Sequence, residues 1–130
     1  MLLLDTSILI DLEHANKKTI NQLQHLRANH PATCVITVVN RAEFIYGIQG
    51  RSEENILKAL AFINIFETVQ TTNRTADILA RLKYSYDRKG INLPFSDMLI
   101  AAMTVEQDLL LVTKDADFQC ISEIRTKLVS

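Results

Sequence analysis

The sequence has few residues that break regular structure, with only 3 glycines and 2 prolines among 130 residues. This scarcity excludes collagen-like and loop-dominated proteins, and it predicts long helices rather than many hairpins. Cysteine is scarce too, and neither Cys34 nor Cys120 stands at zinc-site spacing from another cysteine or a histidine. We therefore expect two buried free thiols in a reducing compartment, not a disulfide or zinc scaffold.

Neither sign of charge predominates, because 14 basic residues face 15 acidic ones for a net charge of −1. The balance excludes a polybasic nucleic-acid tail, although a segregated acidic cluster could hide a local basic surface. Long apolar runs are also missing, and none approaches the roughly 20 residues of a membrane-spanning helix. The first residues lack the basic charges of a signal peptide and are interrupted by Asp5 and Asp11, so we expect a cytoplasmic protein.

Short, continuous apolar runs recur along the chain and predict buried strands. Their continuity, without alternation, is typical of parallel strands covered on both faces. The second run follows a break at His30-Pro31. The strands are predicted at residues 2–4, 34–38, 66–70 and 109–113, with a short last strand at 121–124.

Apolar residues at helical spacing fill the intervals between these runs. They predict helices around residues 20–26, 44–48, 56–63, 78–86 and 98–105. Gly90 is expected to stop the fourth helix, and Pro94 to precede the fifth. Strands that alternate with helices predict a single α/β domain over residues 1–130, a three-layer α/β/α sandwich with a central, mostly parallel sheet.

Four acidic residues fall at matching places in this pattern. Asp5 ends the first strand, Glu43 lies in the first turns of the helix after the second strand, and Asp115 follows the 109–113 strand. The carboxyl ends of parallel strands share one crevice, where ligands bind. Asp97 opens the helix after Pro94, and it can join the other three if that helix packs across the same edge.

Four converged carboxylates would raise one another's pKa, and a bound divalent cation relieves that repulsion. Oxygen ligands favour Mg²⁺ or Mn²⁺ over zinc. One or two such ions could activate a water, neutralise a scissile phosphate and stabilise the leaving oxygen. The acidic pattern therefore predicts metal-assisted chemistry on a phosphodiester.

Each acid also has a simpler structural interpretation. Asp5 could cap a helix, Asn40 and Glu43 match an N-x-x-E capping box, Asp97 could favour a helix dipole, and Asp115 could be a turn residue. Taken singly, each of these interpretations is the stronger one. Taken together they are harder to sustain, because the acids converge on one predicted edge.

The segments that carry these acids resemble the sequence blocks of PIN domains, in order and across residues 1–118. The blocks are DTSILID at residues 5–11, ITVVNRAEFIYGI at 36–48, DMLIAA at 97–102 and LVTKDADF at 111–118. The compact size further resembles the VapC toxins of type II toxin–antitoxin pairs. The resemblance implies a PIN-like fold, Mg²⁺- or Mn²⁺-dependent endoribonuclease activity, a homodimer, and inhibition by a VapB-like antitoxin.

The same resemblance assigns roles to individual residues. It places Asp5, Glu43 and Asp97 at the three core acids and Asp115 at the fourth, with Asp117 sharing or replacing that last role. Small polar residues of the blocks would support them: a hydroxyl of Thr6 or Ser7 could position the attacking water, and Thr113 is a similar candidate.

Basic residues could contact the phosphates of an RNA. Without the four acids, 11 acidic residues remain against 14 basic ones, although solvated basic faces are the simpler interpretation of each. Few aromatic side chains are present, so recognition could depend on RNA shape. The candidates for phosphate contacts are Arg41, Arg51, Arg74, Arg81, Lys83, Arg88, Lys89 and Lys114.

The apolar stretches at 56–66 and 8–10 have three open uses: core, dimer face or groove for an amphipathic antitoxin helix. Two other enzyme classes fit poorly. A phosphoryl-receiver domain needs an Asp at the end of a mid-chain strand, and a dehalogenase-type phosphatase needs an Asp where Ser7 stands. The remaining alternatives are a PIN nuclease of RNA maturation or quality control, and a catalytically silent binding module on the same scaffold.

Overall fold

A computed structural model describes residues 1–29 and 33–130, so the predicted break at His30-Pro31 lies outside the described residues. Five strands alternate with helices, and a short 3-10 helix, Ala116–Cys120, precedes the last strand. The strands are β1 Leu2–Leu4, β2 Cys34–Thr37, β3 Glu67–Val69, β4 Leu110–Thr113 and β5 Arg125–Leu128. The helices are α1 Thr6–Glu13, α2 Lys17–Asn29, α3 Val38–Gly47, α4 Glu53–Ile63, α5 Asn73–Arg88 and α6 Phe95–Glu106.

The described strands form one sheet in the order β3-β2-β1-β4-β5, and every pairing is parallel. The first strand of the chain lies in the centre, where Leu3 is in register with Val35 of β2 and Leu111 of β4. Because parallel strands end at the same edge, the residue that follows β1 lies between those that follow β2 and β4.

Both faces of the sheet are buried, as the continuous apolar runs predicted. On one face Leu3 and Leu111 pack with residues of α5 and α6. On the other, Leu4 and Val112 pack with residues of α1 to α4. Successive strand side chains point to opposite faces, so this division confirms the three-layer α/β/α architecture.

Two boundaries lie close to where the sequence placed them. Gly90 has a φ of +78° just beyond the end of α5, a backbone conformation that favours glycine. Pro94 immediately precedes α6. The α3 helix begins at Val38 directly after Thr37, the last residue of β2, with no loop between strand and helix.

Two details differ from the sequence predictions. The last strand is Arg125–Leu128 rather than residues 121–124. Ile121, the C-cap of the 3-10 helix, is buried in the core, whereas β5 is an edge strand with mostly exposed side chains. Cys120 is exposed and Cys34 only partly buried, although both thiols are free. No helix among residues 1–29 and 33–130 is long and apolar enough to cross a membrane.

Candidate active site

Asp5 occupies the junction between the central strand and α1. Its backbone N–H donates to the carbonyl of Val112 in β4, 2.9 Å away. Its carboxylate caps α1 by accepting from the backbone N–H of Thr6 at 2.9 Å. The predicted helix cap is therefore correct. The cap does not exclude a second role, because a carboxylate has several lone pairs and Asp5 stands at the edge where the acids converge.

Both carboxylate oxygens of Asp5 accept side-chain hydrogen bonds from neighbouring elements. The Thr113 hydroxyl donates to Oδ2 at 2.6 Å, and the Asn40 amide donates to Oδ1 at 3.3 Å. Burial raises the pKa of Asp5, the bonds from Thr113 and the Thr6 backbone lower it, and the charges of Glu43 and Asp115 raise it again. The net result is a raised pKa in a side chain that is only 7% exposed.

Glu43 reaches the site from α3. The Thr6 hydroxyl donates to its Oε1 at 2.7 Å and accepts from the Asn40 amide at 3.2 Å. The N-x-x-E interpretation of a capping box is wrong, because Thr37 is the N-cap and Asn40 is the third helical residue that completes the box. Glu43 lies one turn further along, with its side chain exposed.

Asp97 is the third residue of α6, whose N-cap Pro94 makes no side-chain hydrogen bond. Burial is the main cause that raises the pKa of Asp97 to about 6, followed by the charges of four other acids. These charges are those of Asp115, Asp5, Glu43 and Asp117, in that order, so the first turn of α6 lies at the edge where the other acids stand.

Asp115 begins the 3-10 helix and accepts from the backbone N–H of Asp117 at 2.9 Å. Its own N–H donates to the Thr113 hydroxyl at 3.0 Å. The predicted turn role of Asp115 is therefore present beside its position among the acids. Ser7 fixes the same segment from α1, since its hydroxyl accepts from the backbone N–H of Lys114 at 3.3 Å. The Asp117 side chain is exposed.

The sequence matches the family model of the PIN domain over residues 2–124. The chain belongs to the PIN-domain family. Comparison with curated proteins gives no match.

Two solved structures with the same fold are toxin–antitoxin complexes, and a third is a toxin. One is VapBC2 from Rickettsia felis bound to a promoter DNA fragment, with a TM-score of 0.85, 22% identity, and coverage of 99% of this chain and 98% of that chain. DNA-bound VapBC from Salmonella typhimurium has a TM-score of 0.84, 23% identity, and coverage of 99% and 98%. VapC20 from Mycobacterium tuberculosis, a sarcin-ricin loop cleaving toxin, has a TM-score of 0.64, 17% identity, and coverage of 96% and 99%. At these identities, the likeness shows the PIN fold alone.

The acids of this PIN domain present only oxygen donors, the chemistry that Mg²⁺ and Mn²⁺ prefer. Among residues 1–29 and 33–130, no three His, Cys, Asp or Glu side chains lie close enough together to hold a metal ion as they stand. The charges of the other acids act on Asp97 through space and add to the rise in its pKa that burial causes. The donor set therefore fits a hard divalent cation.

The predicted phosphate-binding residues of this PIN domain differ in their surroundings. Lys114 forms an ion pair with Asp11 at 2.9 Å, and Arg41 donates to the side chain of Asn64 at 2.9 Å. Arg88 lies over the Tyr84 ring, 5.7 Å from its centroid. Two further candidates are paired with acids: Arg51 with Glu13 and Lys83 with Asp87, each at 2.7 Å. The others, Arg74, Arg81 and Lys89, are exposed on α5 or at its end.

One residue at the site was missed by the sequence interpretation. Asn40 was considered only as a helix cap, yet its amide contacts both Asp5 and Thr6. A signal was present in the spacing, because Asn40 stands three residues after Thr37 and three before Glu43. That spacing puts its side chain on the same face of α3 as Glu43.

Proposed function

We propose that this PIN domain is a metal-dependent endoribonuclease, the toxin of a type II toxin–antitoxin pair. The observation that carries the proposal is the convergence of the acids at the carboxyl edge of the sheet, where burial and then the charges of the neighbouring acids raise the pKa of Asp97 to about 6. Such repulsion is costly for a fold, and acids arranged in this way are typical of functional sites.

Four acids would hold one or two Mg²⁺ or Mn²⁺ ions: Asp5, Glu43, Asp97 and Asp115, with Asp117 sharing or replacing the role of Asp115. When bound, such an ion lowers the pKa of a water, neutralises the phosphate and stabilises the leaving oxygen. The chain contributes the placement of the acids and of the hydroxyls near them.

The polar residues around the acids keep them in position. Thr113 and Thr6 donate hydrogen bonds to Asp5 and Glu43 respectively, so a neighbouring hydroxyl fixes the position of each carboxylate. The Ser7 hydroxyl holds the backbone before Asp115. We expect hydrolysis by in-line attack of water, without a covalent enzyme intermediate.

The choice of RNA as substrate is supported by the fold shared with VapC20, which is described as a sarcin-ricin loop cleaving toxin. RNA phosphates would contact Arg41, Arg81, Arg88 and Lys114. Of these, Lys114 would first have to leave Asp11, while Arg81 is exposed on α5. A cytoplasmic location follows from the substrate, since cellular RNA is found there.

The partner is proposed to be a VapB-like antitoxin, because similar folds occur in VapBC complexes. The surface of α1 and α4 offers apolar side chains to an amphipathic helix: Ile10 is 41% exposed and Leu57 62%. Ile65, just after α4, is 72% exposed. Most of the remaining apolar stretch is core, including Ala59 and Ile63. We further propose a homodimer.

Cleavage of total cellular RNA by the purified, antitoxin-free protein tests the proposal. The reaction is run with Mg²⁺ or Mn²⁺, then with EDTA, beside the Asp97→Asn variant as a control for contaminating ribonuclease. Discrete fragments that need the metal and vanish with Asp97→Asn are expected. Absence of cleavage by folded protein under both metals would favour the silent binding module. A structured precursor as the sole substrate would favour the maturation nuclease.

A further inference from the structure

Asn40 is a fully buried amide, with an exposed fraction of 0%. A buried polar side chain is costly unless its donors and acceptors are all used. The Asn40 side chain makes four hydrogen bonds, two through Oδ1 and two through Nδ2. Its surroundings therefore determine which way the amide faces.

The orientation of the amide follows from Thr37. The backbone N–H of Thr37 can only donate, and it lies 3.0 Å from Oδ1 of Asn40. The Thr37 hydroxyl accepts from the Asn40 backbone N–H and donates to the same Oδ1 at 2.8 Å. Since the oxygen faces Thr37, the NH₂ group must face the opposite way, toward the acids.

Both protons of the NH₂ group are directed at the site. One is donated to Oδ1 of Asp5 at 3.3 Å and the other to the Thr6 hydroxyl oxygen at 3.2 Å. Because Thr6 accepts from Asn40, its own proton is free to point at Glu43, 2.7 Å away. The direction of donation therefore runs from the cap of α3 through Asn40 to two carboxylates from different elements.

The helix cap alone does not require this amide. In a capping box, the third residue needs only an acceptor for the N–H of the N-cap. The same chain contains a second capping box at the start of α5, where the Thr75 hydroxyl accepts from the Thr72 backbone at 2.8 Å. A threonine thus completes the box elsewhere in this protein, and the NH₂ group of Asn40 serves the site rather than the helix.

We propose that Asn40 is a positioning residue whose NH₂ group holds Asp5 directly, and Glu43 through the Thr6 hydroxyl, in the arrangement that receives the divalent cation. The inference rests on the proposed function. It assigns Asn40 no contact with RNA, since the side chain is buried beneath Thr6 and Asp5. Residues that orient metal ligands through hydrogen bonds typically contribute about 10- to 100-fold to metal affinity or activity.

The test compares Asn40→Ala with Thr37→Ala. Each breaks the capping box of α3, but only Asn40→Ala removes the NH₂ donors. Mn²⁺ binding is measured by titration calorimetry without RNA, kcat and KM are measured on a cleavable RNA, and the thermal midpoint reports the fold. We expect Asn40→Ala to weaken Mn²⁺ binding and lower kcat by about 10- to 100-fold, with KM unchanged. Thr37→Ala should lower the midpoint and stay within about twofold of wild type in Mn²⁺ affinity.

Asn40→Thr keeps the fold if Asn40→Ala does not, because its hydroxyl can accept from Thr37 as Thr75 does from Thr72. One hydroxyl proton then replaces two amide protons, so we expect Mn²⁺ binding several-fold weaker than wild type at an unchanged midpoint. Wild-type Mn²⁺ affinity in Asn40→Ala or Asn40→Thr, or an equal loss in Thr37→Ala, would overturn the positioning role. A wild-type protein that neither binds Mn²⁺ nor cleaves RNA would overturn the proposed function instead.

Discussion

The two halves of the acidic site are held in different ways. Asp5 is 7% exposed, and its two carboxylate oxygens accept hydrogen bonds from Thr6, Asn40 and Thr113. Asp97 is partly exposed, and within residues 1–29 and 33–130 no hydrogen bond reaches its carboxylate. Burial and neighbouring acids raise the pKa of both groups, and that of Asp97 is raised to about 6.

The difference follows from where each acid stands in the fold. Asp5 directly follows the central strand, so donors reach it from β4 on one side and from α3, which follows β2, on the other. Asp97 enters from α6, whose first turn brings a carboxylate but no partner for it. One half of the site is therefore organised by the protein itself, whereas the other half carries unrelieved negative charge that a cation would stabilise.

Neutralising Asp5 or Asp97 should have the largest effect on cleavage and should distinguish the two halves of the site by stability. We expect Asp5→Asn and Asp97→Asn each to lower cleavage by about 10³-fold or more, the scale of removing a group that stabilises charge in the transition state. Their effects on stability should have opposite signs at pH 7. The Asp5 carboxylate accepts hydrogen bonds from Thr6, Asn40 and Thr113, and an amide offers one acceptor oxygen in place of two. Asp5→Asn should therefore lower the free energy of unfolding by about 1–3 kcal/mol.

For Asp97→Asn, we expect a gain in stability. An acid whose folded pKa is raised destabilises the fold once it is charged, so removing the charge stabilises the fold at pH 7. Solvent screening around this partly exposed group reduces the gain to about 1 kcal/mol. Urea unfolding of the two variants checks the signs, and equal shifts in one direction would contradict the distinction between the two halves.

Removal of the Thr113 hydroxyl weakens the organised half alone. Thr113→Val deletes the donor to Asp5 and the acceptor for the Asp115 N–H. We expect a loss of about 1–3 kcal/mol in the free energy of unfolding, and of about 10- to 100-fold in cleavage.

A matched control is Thr104→Val, in which another buried hydroxyl is lost. Thr104 is 1% exposed, and its hydroxyl donates to the carbonyl of Ile100 within α6, away from the acids. Its cleavage rate should equal that of wild type. If Thr104→Val and Thr113→Val lose activity equally, the bond to Asp5 has no special part in the site.

Divalent cations should stabilise the half of the site that contains Asp97. At 100 times its dissociation constant, Mn²⁺ is expected to raise the free energy of unfolding at pH 7 by about 2.7 kcal/mol. Without metal, the raised pKa of Asp97 makes the contribution of this group to stability fall as the pH rises from the ordinary pKa of 3.8 to about 6. The Mn²⁺ effect should fade as the pH falls below about 6, where protons compete with the ion for Asp97. Thermal melts across pH, with and without Mn²⁺, check both predictions. Asp97→Asn should remove the part of the pH dependence of stability that is due to Asp97.

The smallest effect is expected at Lys114. Its ion pair with Asp11 lies near the surface, although Asp11 also accepts from the Thr19 hydroxyl at 2.6 Å. Lys114→Ala should cost less than about 1 kcal/mol in stability. If Lys114 contacts a phosphate, the same variant flattens the salt dependence of RNA affinity, measured as log K against log salt, by about 0.7. An unchanged slope would remove Lys114 from the RNA surface.

Much of the architecture was available from the sequence because buried parallel strands are continuous apolar runs. The edge strand β5 was placed too early for the same reason. Its side chains are mostly exposed and form no apolar run, whereas the nearby Ile121 is apolar because it packs into the core. Periodicity reports burial, and a short strand at the edge of a sheet has little of it.

The acids of the site could be located because strand ends and helix starts are visible in the sequence. The network between them could not, since it depends on which side chains meet across elements. The cap of α3 shows this: without a loop after β2, the helix begins one turn earlier than the N-x-x-E pattern implied, and Asn40 moves from the cap into the site. At Asp5, the role of helix cap and a position in the site are compatible, because Asp5 caps α1 and also lies among the acids.

The central position of the first strand has a consequence for synthesis on the ribosome. Asp5 and the Thr113 hydroxyl that orients it are 108 residues apart in the chain. At ordinary elongation rates, roughly 5 to 20 s separate the appearance of the two residues. Throughout that interval the growing polypeptide holds Asp5 without Thr113 or the later Asp115, so a nascent chain carries no assembled acidic centre. The order of translation thus delays the completed site until β4 has been made.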